Sequence, residues 1–403
     1  MVLWKTPGNG GESSLARPFW GGALERSVRN GNKKIPLLLY AGGTSKALMF
    51  HEKDLPKDRA LWRELFLSAM GSPDPKQIDG MGGAVSSTSK IAVVAPSKRP
   101  GVDVDDTFFQ VGIGQASVSE NVNCGNISSC IGPFAIEEGL VQPARPETLV
   151  RIYNTNTKRL IEEVVPTENG RPDPYGDARI AGVPGTGAPI LVRFFGPGGA
   201  VTGKPLPTSK EREEFLLPDG EKVLGSIVDA GGAAVFLRAE DFGLKGTEGI
   251  EIGGNAELLE KLMAVRGQAA QRCGLVQRWQ DAERLSPAVP DVVLVQGAKD
   301  CRALDGTPIQ AEEMDILARC FCMGQLHRAF PITTAIALGA AAKIPGTTVQ
   351  EALGAKAGQE ELRIGNLSGV LPLRLQAQGN SLQSAAVIRT ARRILEGSIY
   401  VAY

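Results

Sequence analysis

Three short segments gather the residues of this chain that could do chemistry: AGGTSK at 41–46, DGMGGAVSSTSK at 79–90 and NVNCGNISS at 121–129. Glycines let backbone amides approach a ligand closely, hydroxyls and side-chain amides add neutral donors, and a lysine adds one positive charge. Together they describe a cradle for a small anion, a carboxylate or a phosphate. Cys124 is the most informative cysteine, because Asn123 precedes it, Gly125 and Asn126 follow it, and a helix is expected to start there. A thiol at a helix start meets free N–H groups and the positive end of the macrodipole, which suits it to proton exchange near neutral pH. The alternative is a small buried apolar residue, the reading that also suits Cys130. Lys90 closes SSTSK and leads at once into the apolar run IAVV, so it stands at a strand edge beside two donor-rich loops. A partly desolvated lysine there can act as a base, whereas a solvated one would be ordinary surface.

Other chemistries lack their residues. There are two histidines, His51 and His327, with no CxxC or HExxH pair, so no metal is expected. GTSKA at 43–47 is not GxSxG, and GMGGAV and GIGQAS are not GxGxxG opening a helix, so neither a serine hydrolase nor a dinucleotide site is expected. No cofactor is called for. Cys273, Cys301, Cys320 and Cys322 lack a glycine-rich setting and read as structural, and His327 reads as lying within a buried helix.

The elements that must position these groups are mostly strands. IPLLLYAGG, KIAVVAPS, DTFFQVGIG and TLVRIYNTNT are short β-rich runs closed by turn residues. Helices are expected over Pro56–Met70, from Cys124 to Gly139, and over Ala256–Cys273, Ala311–Ala342 and Leu382–Glu396. GNISSCIGPFAIEEGL and MGQLHRAFPITTAIALGAAA form a weak internal repeat, with Gly125 and Pro133 in one and Gly324 and Pro331 in the other. Two largely apolar helices suggest two halves, each wrapping strands around one central helix, with coincidence as the alternative. The turn-rich stretch Pro166–Pro189 reads as a linker or a site-lining loop. The expected organisation is an irregular arm over 1–34, a first half over 35–180 that carries Lys90 and Cys124, and a second half over 181–403. The C-terminal strand or helix is free to pack back on the first half.

The 403 residues suit two domains, and 44 Lys plus Arg against 44 Asp plus Glu leave no global positive field. Binding to nucleic acid or to an anionic membrane surface is therefore not expected. The longest apolar run, Ala329–Ala342, is too short for a membrane helix, and the N-terminus lacks a signal-peptide core. Six cysteines in a chain of this size suit a reducing compartment, and a cytoplasmic location is expected. Residues 1–34 carry six basic and two acidic side chains, a weak likeness to a mitochondrial import segment that their glycines and proline oppose.

The segments GGTSK, DGMGGAVSSTSK, NCGNISSCIGPFAIEEGLVQP, TGKPLPT and RTARRILEG, in order from Ile35 to Val401, resemble the methylaconitate isomerase and 4-oxalomesaconate tautomerase family. The resemblance implies an α+β fold like that of diaminopimelate epimerase: two pseudo-symmetric halves, each a β-barrel wrapped around a central helix, with the site between them. It implies cofactor-free proton transfer on a small unsaturated tricarboxylate, with a homodimer as an admissible assembly. Its acid/base lysine falls on Lys90, its cysteine on Cys124 and a site serine on Ser45. Carboxylate contacts are implied for Thr44, Lys46, Ser87, Asn123, Gly125, Asn126, Lys204 and Ser368. Diaminopimelate epimerase uses one cysteine from each half, whereas here Met323 and Gly324 are read as the second helix start. Family members often have glycine where this chain has Ala47, and histidine where GNLSG has Asn366. The expected reaction is cis-aconitate to trans-aconitate. The alternatives are 2-methylaconitate isomerisation, 4-oxalomesaconate tautomerisation, or an anion-binding protein without turnover.

Overall fold

The computed structural model describes residues 33–403, so the arm expected over 1–34 and its import reading lie outside the described residues apart from Lys33 and Lys34. Those two already belong to a strand, Lys33–Gly42, two residues ahead of the expected start at Ile35.

Among the described residues nineteen strands form one hydrogen-bonded sheet, three of them only two residues long. From one edge the longer strands run Ala391–Val401, Lys33–Gly42, Ser45–His51, Lys90–Pro96, Val104–Val111, Glu147–Asn154, Arg159–Glu168 and Ile190–Phe195. Successive pairs are antiparallel, antiparallel, parallel, antiparallel, parallel, antiparallel and antiparallel. From the other edge the order is Glu213–Leu216, Lys222–Asp229, Ala233–Arg238, Asp291–Gly297, Ile316–Cys322, Glu361–Asn366, Gly369–Gln378 and Ser381–Arg389, with the same succession of directions. The two sets meet where Ile190–Phe195 pairs antiparallel with Ser381–Arg389. The matching order is the two-fold pseudo-symmetry of the fold.

Each parallel pair needs a crossover, and helices supply it. Trp62–Met70 and Ala256–Arg272 cross on the outside: Trp62, Leu65 and Phe66 pack on Leu37, Phe50 and Ile91, and Leu258, Leu262 and Val265 pack on Phe215, Val235 and Leu294. Gly125–Ser128 with Ile131–Glu137, and Ile332–Lys343, cross on the inside and share one central core. Ile332–Lys343 is almost wholly buried, as an all-round apolar helix must be. It ends two residues before Pro345, which cannot continue a helix.

Four expected helices differ in the structure. The one expected from Pro56 opens with a 3-10 turn at Arg59–Leu61, where the Asp58 carboxylate accepts from the Ala60 N–H (3.0 Å), and is an α-helix only from Trp62. The stretch after Cys124 is broken at Ser129–Cys130, because Pro133 offers no N–H to Ser129 and is tolerated only in a first turn. Within Ala311–Ala342 only Ile332 onward belongs to an α-helix. Ile316–Cys322 is a strand, and Met323 (φ 51°) and Gly324 (φ 74°) form a two-residue hairpin turn whose backbone no helix contains. Leu382–Glu396 lies in two strands, and the alternating burial that opens Ser381–Arg389 reflects a period of two rather than 3.6. The C-terminal strand is tied to the first half by Arg393, which donates to Glu137 (2.9 Å) and Glu138, and within its own strand to Glu396 (2.9 Å). Among the described residues no helix is long and apolar enough to cross a membrane.

Candidate active site

The two inner helices start head to head between the halves. Cys124 caps Gly125–Ser128 in extended conformation, and Pro331 caps Ile332–Lys343 in the same way. The starts touch at Gly125, where a Cβ would lie 2.6 Å from Ile332 Cβ and 3.1 Å from Phe194 Cζ. Only glycine permits that approach. The internal repeat therefore exists but in another register than the sequence suggests. Pro331, not Gly324, answers to the capping position of Cys124, and Met323–Gly324 is a turn rather than a helix start.

Around the meeting point lies an inner cavity of about 60 Å³. Ser45, Lys90, Asn123, Cys124, Gly125 and Asn126 line it from the first half, and Asp291, Cys322, His327 and Thr334 from the second. Lys90, 8% exposed, opens its strand. Its Nζ donates to Gln110 Oε1 at 2.6 Å and lies 5.2 Å from the centre of the Phe108 ring. Gln110 is fixed in turn by donating to the Ser86 and Ser89 carbonyls at 3.1 and 3.0 Å. The Cys124 N–H donates to Asn123 Oδ1 (2.7 Å), and Asn126 Nδ2 donates to Thr44 Oγ1 (3.0 Å). The thiol thus sits at a helix start whose amides and flanking asparagines can receive an anion.

Asp291 occupies in the second half the place of Lys90 in the first, as the opening residue of the equivalent strand. Its Oδ2 accepts from Thr334 Oγ1 at 2.5 Å. Burial raises its pKa, against the bonds from Thr334 and Cys322 and the charges of Arg266 and Lys90. The Cys322 thiol is pushed well up by burial and by Asp291. His327 follows the short strand Gln325–Leu326 rather than lying in a helix. Burial pushes it down to about 4, so it is neutral at physiological pH.

A larger cleft of about 690 Å³ shares Ser86, Cys322 and His327 with the inner cavity. Thr44, Ser87 and Ser368 line it. The Ser368 hydroxyl donates to the Arg328 carbonyl at 2.7 Å. Lys46 and Lys204 line neither space. Lys46 points to the opposite side of its strand from Ser45, and Lys204 stands exposed on a loop. Gln110, Asp291, Cys322 and Thr334 escaped the sequence reading, which also took Cys322 as structural. The signal that could have found Asp291 is the likeness of PDVVLVQG to SKIAVVAP.

A sheet rolled twice around two inner helices, with polar groups converging where those helices meet, defines a two-fold pseudo-symmetric epimerase-like protein. The chain belongs to the PrpF protein family, whose model matches residues 32–402. It is 40% identical to 3-methylitaconate isomerase of Eubacterium barkeri over 91% of this chain and 97% of that one. It is 36% identical, over the same shares, to (4E)-oxalomesaconate Delta-isomerase of Novosphingobium sp. (strain KA1) and to 2-methyl-aconitate isomerase of Cupriavidus necator. The crystal structure of methylitaconate-delta-isomerase superposes with a TM-score of 0.76 at 39% identity, covering 92% of this chain and 96% of that one. A probable proline racemase from Agrobacterium radiobacter shares the fold, with a TM-score of 0.54 at 14% identity over 91% of this chain and 92% of that one.

Proposed function

We propose that this chain interconverts cis- and trans-aconitate by moving one proton along the allylic system, with Lys90 and Cys124 as its acid/base pair. At the coarser level the chain is an isomerase of small unsaturated acids, as its relatives' names describe. What supports the finer reading is the placement of Lys90 and Cys124 on one cavity together with Asn123, Asn126 and two helix starts.

In this mechanism one of the pair takes a proton from the methylene carbon of cis-aconitate. The double bond shifts by one position, and the other group delivers a proton to the former vinyl carbon. The atoms balance, and because the carbon skeleton is the same read from either end, the shift gives aconitate again; the product is trans when the former methylene carboxylate is held on the side of the new double bond opposite the central carboxylate. Lys90 and Cys124 finish with exchanged protonation states, which solvent resets. Negative charge spreads into a carboxylate between the two steps, and fixed N–H and amide donors at the helix starts stabilise it without reorganising. The inner cavity has room for only a few water-sized groups, so it takes the reacting end while the remaining carboxylates lie toward Thr44, Ser86, Ser87 and Ser368.

Proton NMR of the purified protein in deuterated water, with cis-aconitate, 2-methylaconitate, 4-oxalomesaconate and 3-methylitaconate, tests this reading. The expected result is deuterium at one carbon of aconitate and growth of the trans isomer. A preference of about tenfold or more in kcat/KM for another acid replaces the substrate, since one methyl is worth only about 1 to 3 kcal/mol. No exchange into any of the acids would leave an anion-binding protein.

A further inference from the structure

The motif RTARRILEG has one residue that neither the pairing of strands nor the acid/base pair accounts for. Arg389 is 5% exposed. Its Nη1 donates to the Ile388 carbonyl at 2.7 Å, its Nε is buried without a partner, and among the described residues no carboxylate pairs with it. Burial pushes its guanidinium down to about 9, which leaves it charged at neutral pH. Arg389 lines a cavity of about 320 Å³ together with Thr44, Asn366, Phe330, Arg179 and Arg374. Among the described residues the one acidic residue on that wall, Glu361, lies 3.7 Å from Arg374, and no ion pair joins it to Arg389. A buried guanidinium with open donors and no counter-charge is costly to keep, and a bidentate carboxylate is the partner its planar fork fits best.

The cavity adjoins the candidate active site. Thr44 and Ala329 line both it and the larger cleft. The stem of Arg389 runs beneath the GGTS turn, where a Cβ on Gly43 would be 2.9 Å from Arg389 Cδ and 2.3 Å from Asn126 Oδ1. Asn126 in turn faces the inner cavity, and its Oδ1 is also buried without a partner.

We infer that the Arg389 cavity is a second carboxylate-binding site, opening on the larger cleft that also borders the inner cavity of Lys90 and Cys124, and using the Arg389 guanidinium as its principal donor. Its occupant is a carboxylate of the substrate itself or of a second small organic acid. The first of these sources rests on the proposed tricarboxylate reaction, and the second does not.

The probe is tricarballylate, a saturated tricarboxylate that has no double bond to move, titrated calorimetrically into the full chain. Wild type binds it. Arg389→Gln weakens binding by about tenfold to a hundredfold, the loss of hydrogen bonds to a charged group, and Arg389→Lys falls between. Asn366→Asp keeps the acceptor for the Ser368 N–H (2.9 Å) while placing a carboxylate in the cavity, and it weakens binding as well. It carries the test if Arg389→Gln does not fold. Competition separates the sources: tricarballylate competitive with the turned-over acid, with KM raised in Arg389→Gln, assigns the substrate's own carboxylate. Non-competitive behaviour with KM unchanged assigns a second acid. Absence of binding to wild type, or binding within about twofold of wild type in folded Arg389→Gln and Asn366→Asp, overturns the site. Loss of binding in the variants without turnover of any acid keeps the site and removes the proposed reaction, and turnover with unchanged binding does the reverse.

Discussion

Asp106→Asn should make the protein more stable at neutral pH than it is with its own aspartate, and the gain should vanish in acid. Asp106 is 1% exposed within Val104–Val111, behind the inner helix. Its Oδ2 accepts from Asn154 Nδ2 at 3.0 Å, and its Oδ1 has no partner among the described residues. Burial pushes its pKa up to about 7 from 3.8, the bond from Asn154 opposing only in part. Below pH 3.8 both folded and unfolded chains hold the proton and the group costs nothing. Between 3.8 and 7 the unfolded chain gives up a proton that the folded chain retains, so stability falls as pH rises, and above 7 the loss is complete. A shift of about 3 units at about 1.4 kcal/mol each is on the order of 4 kcal/mol. Asparagine keeps an oxygen for Asn154 and does not titrate. The assay is denaturant unfolding of both proteins from about pH 4 to about pH 8, read as the difference between them, because every other titrating group is common to the two. The difference should grow from near zero to several kcal/mol in favour of Asp106→Asn, and parallel pH profiles would refute the burial argument.

Three further outcomes are expected. Lys90→Ala and Cys124→Ala should each lower kcat about 10²- to 10⁴-fold with the unfolding midpoint unchanged, and Cys124→Ser should fail as well because an alcohol is a far weaker acid than a thiol; near wild-type rates in either alanine variant would remove the pair from the reaction. Gly125→Ala should destabilise by about 1 to 3 kcal/mol in denaturant melts, since its Cβ would lie 2.6 Å from Ile332 Cβ, and an unchanged midpoint contradicts the head-to-head packing. Activity should survive exhaustive dialysis against a chelator, and loss of a stoichiometric metal together with activity sinks that expectation.

The candidate site was legible where residue chemistry and local backbone coincide. Cys124 before Gly125 and Asn126, and Lys90 between a hydroxyl run and an apolar strand, each carry their signal within ten residues, and both groups line the same cavity. What escaped depended on register over a hundred residues or more. An apolar run such as ILARCFC is ambiguous between strand and buried helix. Reading it as helix hid Asp291 and Cys322, which pairing of the strands brings to the cavity, and matching Gly324 with Gly125 placed a helix start where the chain makes a hairpin turn. The glycines of GGTS show a related ambiguity: a Cβ on Gly42 would strike Asn126 O and Cys130 Sγ, both at 2.4 Å, so that glycine serves packing against the helix rather than a ligand. With the register set by the strands, the two halves are alike in backbone and unlike in chemistry. Lys90 faces Asp291 across the pseudo-two-fold, and Cys124 faces Pro331, which has neither a thiol nor an N–H. A symmetric pair of thiols suits removing and returning a proton on opposite faces of one carbon. With the proposed acid/base pair, Cys124 and Lys90, both supplied by the first half, the symmetric fold carries one-sided chemistry, which suits a proton that leaves one carbon of an allylic system and returns to another.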